Sequence, residues 1–216
     1  MIHVLIPVKP LHAAKSRLAP AIGPAERRAL ALAMLGDVLA AAIASPLTAA
    51  VTVVSSDPAV LHLAQAAAAD ALPDYAADLN GALAQAAREL TLRGARALLV
   101  LPGDLPLLTP ADVELLAASL TCAPSAALAP SRDGGTNALL VSPPEALPFL
   151  FGRGSLARHL AAAVALGVAA RIVRSPGLEL DVDQPADLLA LALADGDTAA
   201  QRLVRSLAPV EQAACA

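Results

Sequence analysis

The chain reads as an α/β protein with a mostly parallel sheet and helices on both faces. Two observations predict this. Short runs rich in Val, Ile and Leu alternate with longer Ala- and Leu-rich runs of helical length. Strands and helices in that rhythm imply parallel pairing, because each crossover lays a helix across a sheet face. A third feature bounds the answer. Hydrophobic residues make up 57% of 216 and charged residues 16%, enough to bury a real core. No linker or internal repeat divides the chain, so residues 1–207 are expected to form a single domain and 208–216 a tail.

The elements follow in order. His3 to Val8 is a buried strand candidate, and 9–20 a polar loop. Pro24 to Ala44 is helical, with Pro24 in its first turn. Val51 to Ser55 is a second strand; Asp57 before Pro58 is a natural cap for the next helix. Leu79 to Arg93 is helical and stops at Gly94. Ala97 to Leu101 is a third strong strand, and Thr109-Pro110 opens a helix to about Leu120. Ala126–Pro130 and Ala138–Ser142 are two strands with no helix between them, which suggests an insertion or an antiparallel element on one side of the sheet. Ser155 to Leu166 is helical and ends at Gly167. Ala170 to Val173 is a strand, and 184–194 and 198–207 are closing helices.

Composition excludes several function classes. Aromatic residues are 1% of the chain, too few for a base-stacking platform, and the net charge of −4 disfavours a nucleic-acid binder. Mean hydropathy is high, at +0.63, yet charges or turn residues interrupt almost every long apolar run. The least interrupted, 29–44, contains Asp37, so no membrane association is expected. No basic leader precedes the first strand. Cys122 and Cys215 lack metal-ligand spacing, as expected of free thiols in a reduced cytoplasm.

Ligands of open α/β sheets bind at the carboxyl ends of strands. After the first strand come Lys9, Lys15 and Arg17, in a chain otherwise poor in cations. They suit a polyanion such as a triphosphate, with Lys as point charge and Arg as bidentate fork; a solvated basic loop is the plain alternative. Neither a P-loop nor a GxGxxG element is present. After the third strong strand, Asp104 is held between Pro102 and Pro106. A carboxylate so presented suits Mg²⁺, and Thr109 is the better cap for the following helix. Asp181 and Asp183 form a second acidic pair on one side of an extended segment. Asp183 could instead cap the helix near Pro185; a metal shared by Asp104 with Asp181 or Asp183 is the favoured reading.

Two segments look like anion cradles: Ser131-Arg132-Asp133-Gly134-Gly135-Thr136-Asn137, and Phe151-Gly152-Arg153-Gly154-Ser155 at a helix start. A hairpin turn and a Ser N-cap are their plain readings. His159 is read as a surface or packing histidine rather than a base. Asn80 either reads a nucleobase edge or caps a helix.

Taken together, Ile6-Pro7-Val8-Lys9, Lys15-Ser16-Arg17-Leu18, Leu79-Asn80, Gly103-Asp104-Leu105-Pro106, Asp133-Gly134-Gly135-Thr136-Asn137, Phe151-Gly152-Arg153-Gly154-Ser155 with His159, and Leu180-Asp181-Val182-Asp183-Gln184-Pro185 resemble the guanylyltransferases of coenzyme F-420 biosynthesis over roughly 1–195. The Phe-Gly-x-Gly-Ser element is the most specific part. The resemblance implies a Rossmann-like nucleotidyltransferase. It would join GMP from GTP to 3-phospho-D-glycerate or phosphoenolpyruvate, with 2-phospho-L-lactate less favoured, and release pyrophosphate. A deazaflavin transferase would then use the product. Pro7, Lys9, Lys15, Asn80 and Asp104 are expected at the nucleotide, and Thr136, Gly152 and Ser155 at the acceptor. Lys15, Arg17 and Asp104 are expected to be catalytic, with Mg²⁺ on Asp104, Asp181 and Asp183. Many related nucleotidyltransferases carry a Gly-rich loop after the first strand; here Lys and Arg stand instead, so side chains would hold the phosphates. Another nucleotidyltransferase of the same fold is the alternative. An Ala/Leu-rich helix surface would permit a homodimer.

Overall fold

The computed structural model describes residues 1–76 and 78–207; the expected tail at 208–216, with Cys215, lies outside them. Cys122 is a free, exposed thiol. In chain order the elements are β1 (Ile2–Pro7), α1 (Pro24–Ala44), β2 (Thr48–Ser55), α2 (Pro58–Ala66), β3 (Asp70–Pro73), α3 (Leu79–Leu92), β4 (Leu98–Val100) and α4 (Pro110–Ala118). Then come β5 (Ser125–Pro130), β6 (Thr136–Ser142), α5 (Ser155–Leu166), β7 (Ala169–Ile172), α6 (Pro176–Glu179), α7 (Pro185–Leu193) and α8 (Ala199–Ser206). The loop at 9–20 contains two single turns, 11–13 and 16–18. The sequence reading lacked β3 and α6. The first is a four-residue, partly exposed edge strand and the second one turn of helix, so neither carries enough periodicity to announce itself.

The seven strands lie in the order β3-β2-β1-β4-β6-β5-β7. Pairings β1–β2, β1–β4, β2–β3 and β5–β7 are parallel, whereas β6 runs antiparallel to both β4 and β5. The break in rhythm after Leu120 is therefore a β5–β6 hairpin set inside the sheet rather than at its margin. Its consequence is positional. Val100 pairs with Leu139 and Leu98 with Val141, so the start of β6, Thr136, lies beyond the carboxyl ends of β1 and β4. One strand running backwards brings its first residue to the edge where the parallel strands deliver their last.

Both sheet faces are covered. Val4, Ile6, Val53 and Leu99 face Leu35, Val38 and Leu39 of α1, Val60 of α2 and Val113 of α4. Leu5, Leu98, Val100, Leu139 and Val141 pack against Leu83, Ala86 and Leu90 of α3 and Ala163 of α5. Alternation along β1 and β4 sends successive side chains to opposite faces. A third cluster lies beyond the sheet. Leu30 and Met34, on the other side of α1, meet Val182, Leu188 and Leu191 near α7 and Ala200 and Val204 of α8. The run at 29–44 is apolar because α1 is buried on two sides. Among the described residues no helix is long and apolar enough to cross a membrane.

Asp37, the charge within that run, caps α8. Its carboxylate accepts from the backbone N–H of Ala199 and Ala200, both at 2.9 Å. These are donors that a helix start leaves without partners. Replacement Asp37→Ala should cost about 1–2 kcal/mol of stability, read as a lower urea midpoint; an unchanged midpoint contradicts the capping role.

Candidate active site

A cleft of about 670 Å³ opens along the edge where β1 and β4 end. Of the residues singled out from sequence, its wall includes Pro7, Lys9, Lys15, Arg17, Asp104, Thr136 and Asp183. Asn80, Gly152, Ser155 and Asp181 are not on that wall, and each is tied to something specific.

Lys15 is the hub. Its side chain is 8% exposed, and its ammonium donates to a carboxylate oxygen of Asp104 and, at 3.0 Å, to Oδ1 of Asp183. Arg17 Nη1 reaches the other oxygen of Asp183 at 3.0 Å. Burial works to lower the Lys15 pKa. The negative charges of Asp104 and Asp183, and the hydrogen bonds to them, outweigh it and hold the pKa above its ordinary value. The lysine is thus firmly cationic. Its backbone is left-handed, with φ at 53°, which costs a non-Gly residue of order 1 kcal/mol or more. The ion pairs hold it there.

Local structure explains why both aspartates are available. Thr109 caps α4 reciprocally with Asp112, which relieves Asp104 of that task. Asp187 accepts from the backbone N–H of Asp183 at 3.0 Å and of Gln184 at 2.7 Å, so the start of α7 is satisfied without the Asp183 side chain. Asp181 is linked to Asn137, whose Nδ2 donates to it at 3.2 Å and to the carbonyl of Leu178 at 3.0 Å. Burial raises the Asp181 pKa, Asn137 opposes, and the charges of Asp104 and Asp183 raise it further. Asn137 was not assigned a role from sequence; its position beside Thr136 at the head of β6 was the available signal.

No group of three metal-ligating side chains is preassembled among the described residues. The donor set still suits a hard cation: Asp104 and Asp183 converge on one positive charge, and a third carboxylate lies within electrostatic reach. Mg²⁺ commonly takes one or two carboxylates plus substrate phosphates, which this arrangement can supply.

Several expectations change. Asn80 is not a helix cap: Asp78 fills that role, accepting from Gly81 N–H at 3.0 Å. The Asn80 amide is spent on the backbone of Phe151, donating to its carbonyl at 3.2 Å and accepting from its N–H at 2.8 Å. It clamps α3 to the 151–154 turn, which leaves one N–H and one oxygen lone pair of the amide uncommitted. The loop at 131–135 is the β5–β6 hairpin connection, and Gly135 N–H goes to Asp133 at 3.0 Å rather than to open space. The hydrogen bonds from Ser131 and Gly135 lower the Asp133 pKa. At the start of α5 the N-cap is Gly154, not Ser155, and φ values of 121° at Gly152 and 67° at Gly154 favour glycine. The amides of Ser155 and Leu156 already meet the carbonyls of Gly152 and Gly134, at 3.0 and 3.4 Å. The element therefore offers side chains more than a bare helix terminus. Ser155 Oγ donates to Thr136 Oγ1 at 3.0 Å, and Thr136 Oγ1 lies 3.1 Å from His159 Nδ1.

His159 is not a surface residue. It is fully buried, edge-on to Phe151 at 5.1 Å, and its Nε2 accepts from Leu150 N–H at 2.9 Å. Burial, with a smaller push from the Arg158 charge, lowers its pKa from 6.5 to about 4. Between those values the unfolded chain binds a proton that the folded ring refuses. The contribution of the neutral ring to stability is therefore complete above pH 6.5 and declines as pH falls towards about 4. Urea unfolding at pH 7 and pH 5 should show a larger loss for the wild type than for His159→Asn; equal losses contradict the shift.

Comparison with known proteins fits this geometry. The family model "Guanylyl transferase CofC like" matches residues 2–212. A phosphoenolpyruvate guanylyltransferase of Roseiflexus sp. (strain RS-1) is 47% identical over 205 residues, covering 95% of this chain and 91% of that protein. One from Roseiflexus castenholzii is 46% identical over 204 residues, covering 94% of each. The crystal structure of a candidate nucleotide-diphospho-sugar transferase from Desulfovibrio desulfuricans G20 superposes with a TM-score of 0.78, at 17% identity and 98% coverage of both chains, which shows the shared fold. By sequence match over nearly its whole length, and with the nucleotidyltransferase fold to carry it, the chain belongs to the CofC-like guanylyl transferase family.

Proposed function

We propose that the cleft joins GMP from GTP to the phosphate of a three-carbon phospho-acid and releases pyrophosphate. One observation carries the reading: the Lys15–Asp104–Asp183 cluster and Thr136 line the same cleft. Phosphoenolpyruvate leads the acceptors, because the relatives at 47% and 46% identity bear its name. 3-Phospho-D-glycerate and 2-phospho-L-lactate are the other acids to be tried.

The chemistry needs little from a base. The acceptor's phosphate oxygen is already an anion when it attacks the α-phosphorus in line, and the bond to pyrophosphate breaks. What must be overcome is repulsion between anions, so catalysis is positioning and electrostatics. Lys15 and Arg17 stabilise the departing pyrophosphate, with Lys9 and Pro7 along its path. Thr136 meets the acceptor, backed by Ser155 and by the turn at Gly152 that leads into it. Mg²⁺ on Asp104, with Asp181 or Asp183, supplies further neutralisation at the phosphates when bound. Asp74 lines the cleft, as Asn80 does not, and its carboxylate can accept from the N1–H and N2–H donors of guanine. The product would pass to a deazaflavin transferase.

Incubation with GTP, Mg²⁺ and each acid separately, followed by mass analysis, should give a guanylylated phospho-acid; absence of adduct and pyrophosphate with all three acids overturns the reading. Asp104→Ala should lower kcat/KM by about 10²-fold or more without loss of folding, and full activity at saturating Mg²⁺ would remove Asp104 from the metal site. Asp74→Asn should narrow the preference for GTP over ATP by about tenfold. An unchanged ratio in competition assays assigns guanine reading elsewhere.

A further inference from the structure

Hydrogen-bond accounting around His159 leads beyond the acceptor contacts themselves. A backbone N–H can only donate, so the 2.9 Å contact from Leu150 makes Nε2 of His159 an acceptor without a proton. The neutral ring must then carry its proton on Nδ1. That N–H has one partner, Thr136 Oγ1 at 3.1 Å. Thr136 Oγ1 also receives the hydroxyl of Ser155 at 3.0 Å. Both lone pairs of the threonine oxygen are then filled, while its own hydroxyl proton has no protein acceptor in this chain of bonds. Thr136 is on the cleft wall, and Ser155 is 1% exposed behind it.

We propose that His159 is a positioning residue that, through a fixed Nδ1–H tautomer, holds Thr136 as a hydrogen-bond donor to an oxyanion of the acceptor acid. This rests on the guanylyltransferase reading above. The direction of the hydroxyl pair matters: if Thr136 donated to Ser155 instead, the spare proton would sit on Ser155, off the cleft wall, whereas donation from Ser155 leaves it on Thr136. The opposite tautomer would remove it. Nδ1 would then take the Thr136 proton, Thr136 would take that of Ser155, and the pair would offer a lone pair to an incoming anion. The Leu150 amide would at the same time point at an N–H. The tautomer thus decides whether this wall attracts or repels a phosphate or carboxylate oxygen. Burial against Phe151 excludes the water that would let the ring exchange its partners.

The ring's state is read directly on wild-type protein labelled with ¹⁵N-histidine, with His159→Asn identifying its resonances among the four histidines. The expected pattern at pH 7 is a protonated Nδ1 and a bare Nε2. An Nε2–H tautomer or a charged ring overturns the proposal. Inorganic phosphate should shift the Nδ1 resonance of the wild type and not that of Thr136→Val; equal response in both also overturns it. In turnover, His159→Gln keeps an acceptor for Leu150 but has no donor at the Nδ1 position. It should raise the acceptor KM about tenfold, with the GTP KM unchanged. His159→Asn restores an amide donor at that position and should recover most of the loss. Equal effects on both substrates, or no recovery in His159→Asn, reduce His159 to a packing role. Wild-type inactivity with all three acids sinks the parent reading alone, because the tautomer and the phosphate response are measured without turnover.

Discussion

The site hangs on one buried ammonium group. Lys15, in the loop after β1, joins Asp104, in the loop after β4, to Asp183, just before α7. Three stretches far apart in sequence are drawn to one point by charge. Without Lys15, two carboxylates would face each other at the partly desolvated mouth of a sheet, where repulsion is poorly screened. With it, the carboxylates are held at a common centre, and the loop between β1 and α1 takes a left-handed turn that a lysine would otherwise avoid. The same charge logic would suit an anionic substrate, whose negative charge a cation beside these carboxylates can meet.

Topology supplies the second wall. Among the described residues six strands run one way, and β6 alone runs the other. A fully parallel sheet would have placed the start of β6 at the opposite edge. Its reversal sets Thr136 and Asn137 next to the loops after β1 and β4, and α5 then brings Ser155 and His159 beneath them. The acidic side and the hydroxyl side touch through Asn137, whose amide holds Asp181.

Much of this was legible in the residues. The long helices have punctuation at their ends: Pro24, Asp57, Thr109, Gly94 and Gly167 each stand where a cap or stop is observed. The basic loop and Asp104 were legible because strand ends in open α/β sheets are where ligands bind. The plain turn reading at 131–135 held, as Asp133 absorbs the Gly135 amide. The role of Asn80 was not legible, because its partner, the backbone of Phe151, is 71 residues away. Of the two readings of His159, packing is what the structure shows and surface is not. A histidine amid alanines and leucines on a helix reads as packing, and only the fold places Leu150 N–H and Thr136 Oγ1 at its two ring nitrogens. Side-chain identity announces charge; it does not announce which buried donor will face which acceptor.

Val182 is fully buried between Asp181 and Asp183, in the cluster where Leu188 and Leu191 of α7 meet Met34 of α1, and Met34 itself borders the cleft. A greasy peg therefore sets the spacing of two acids on either side of it. A change of volume in the seam between α1 and the closing helices therefore reaches the two carboxylates through Val182 while leaving the wetted surface untouched.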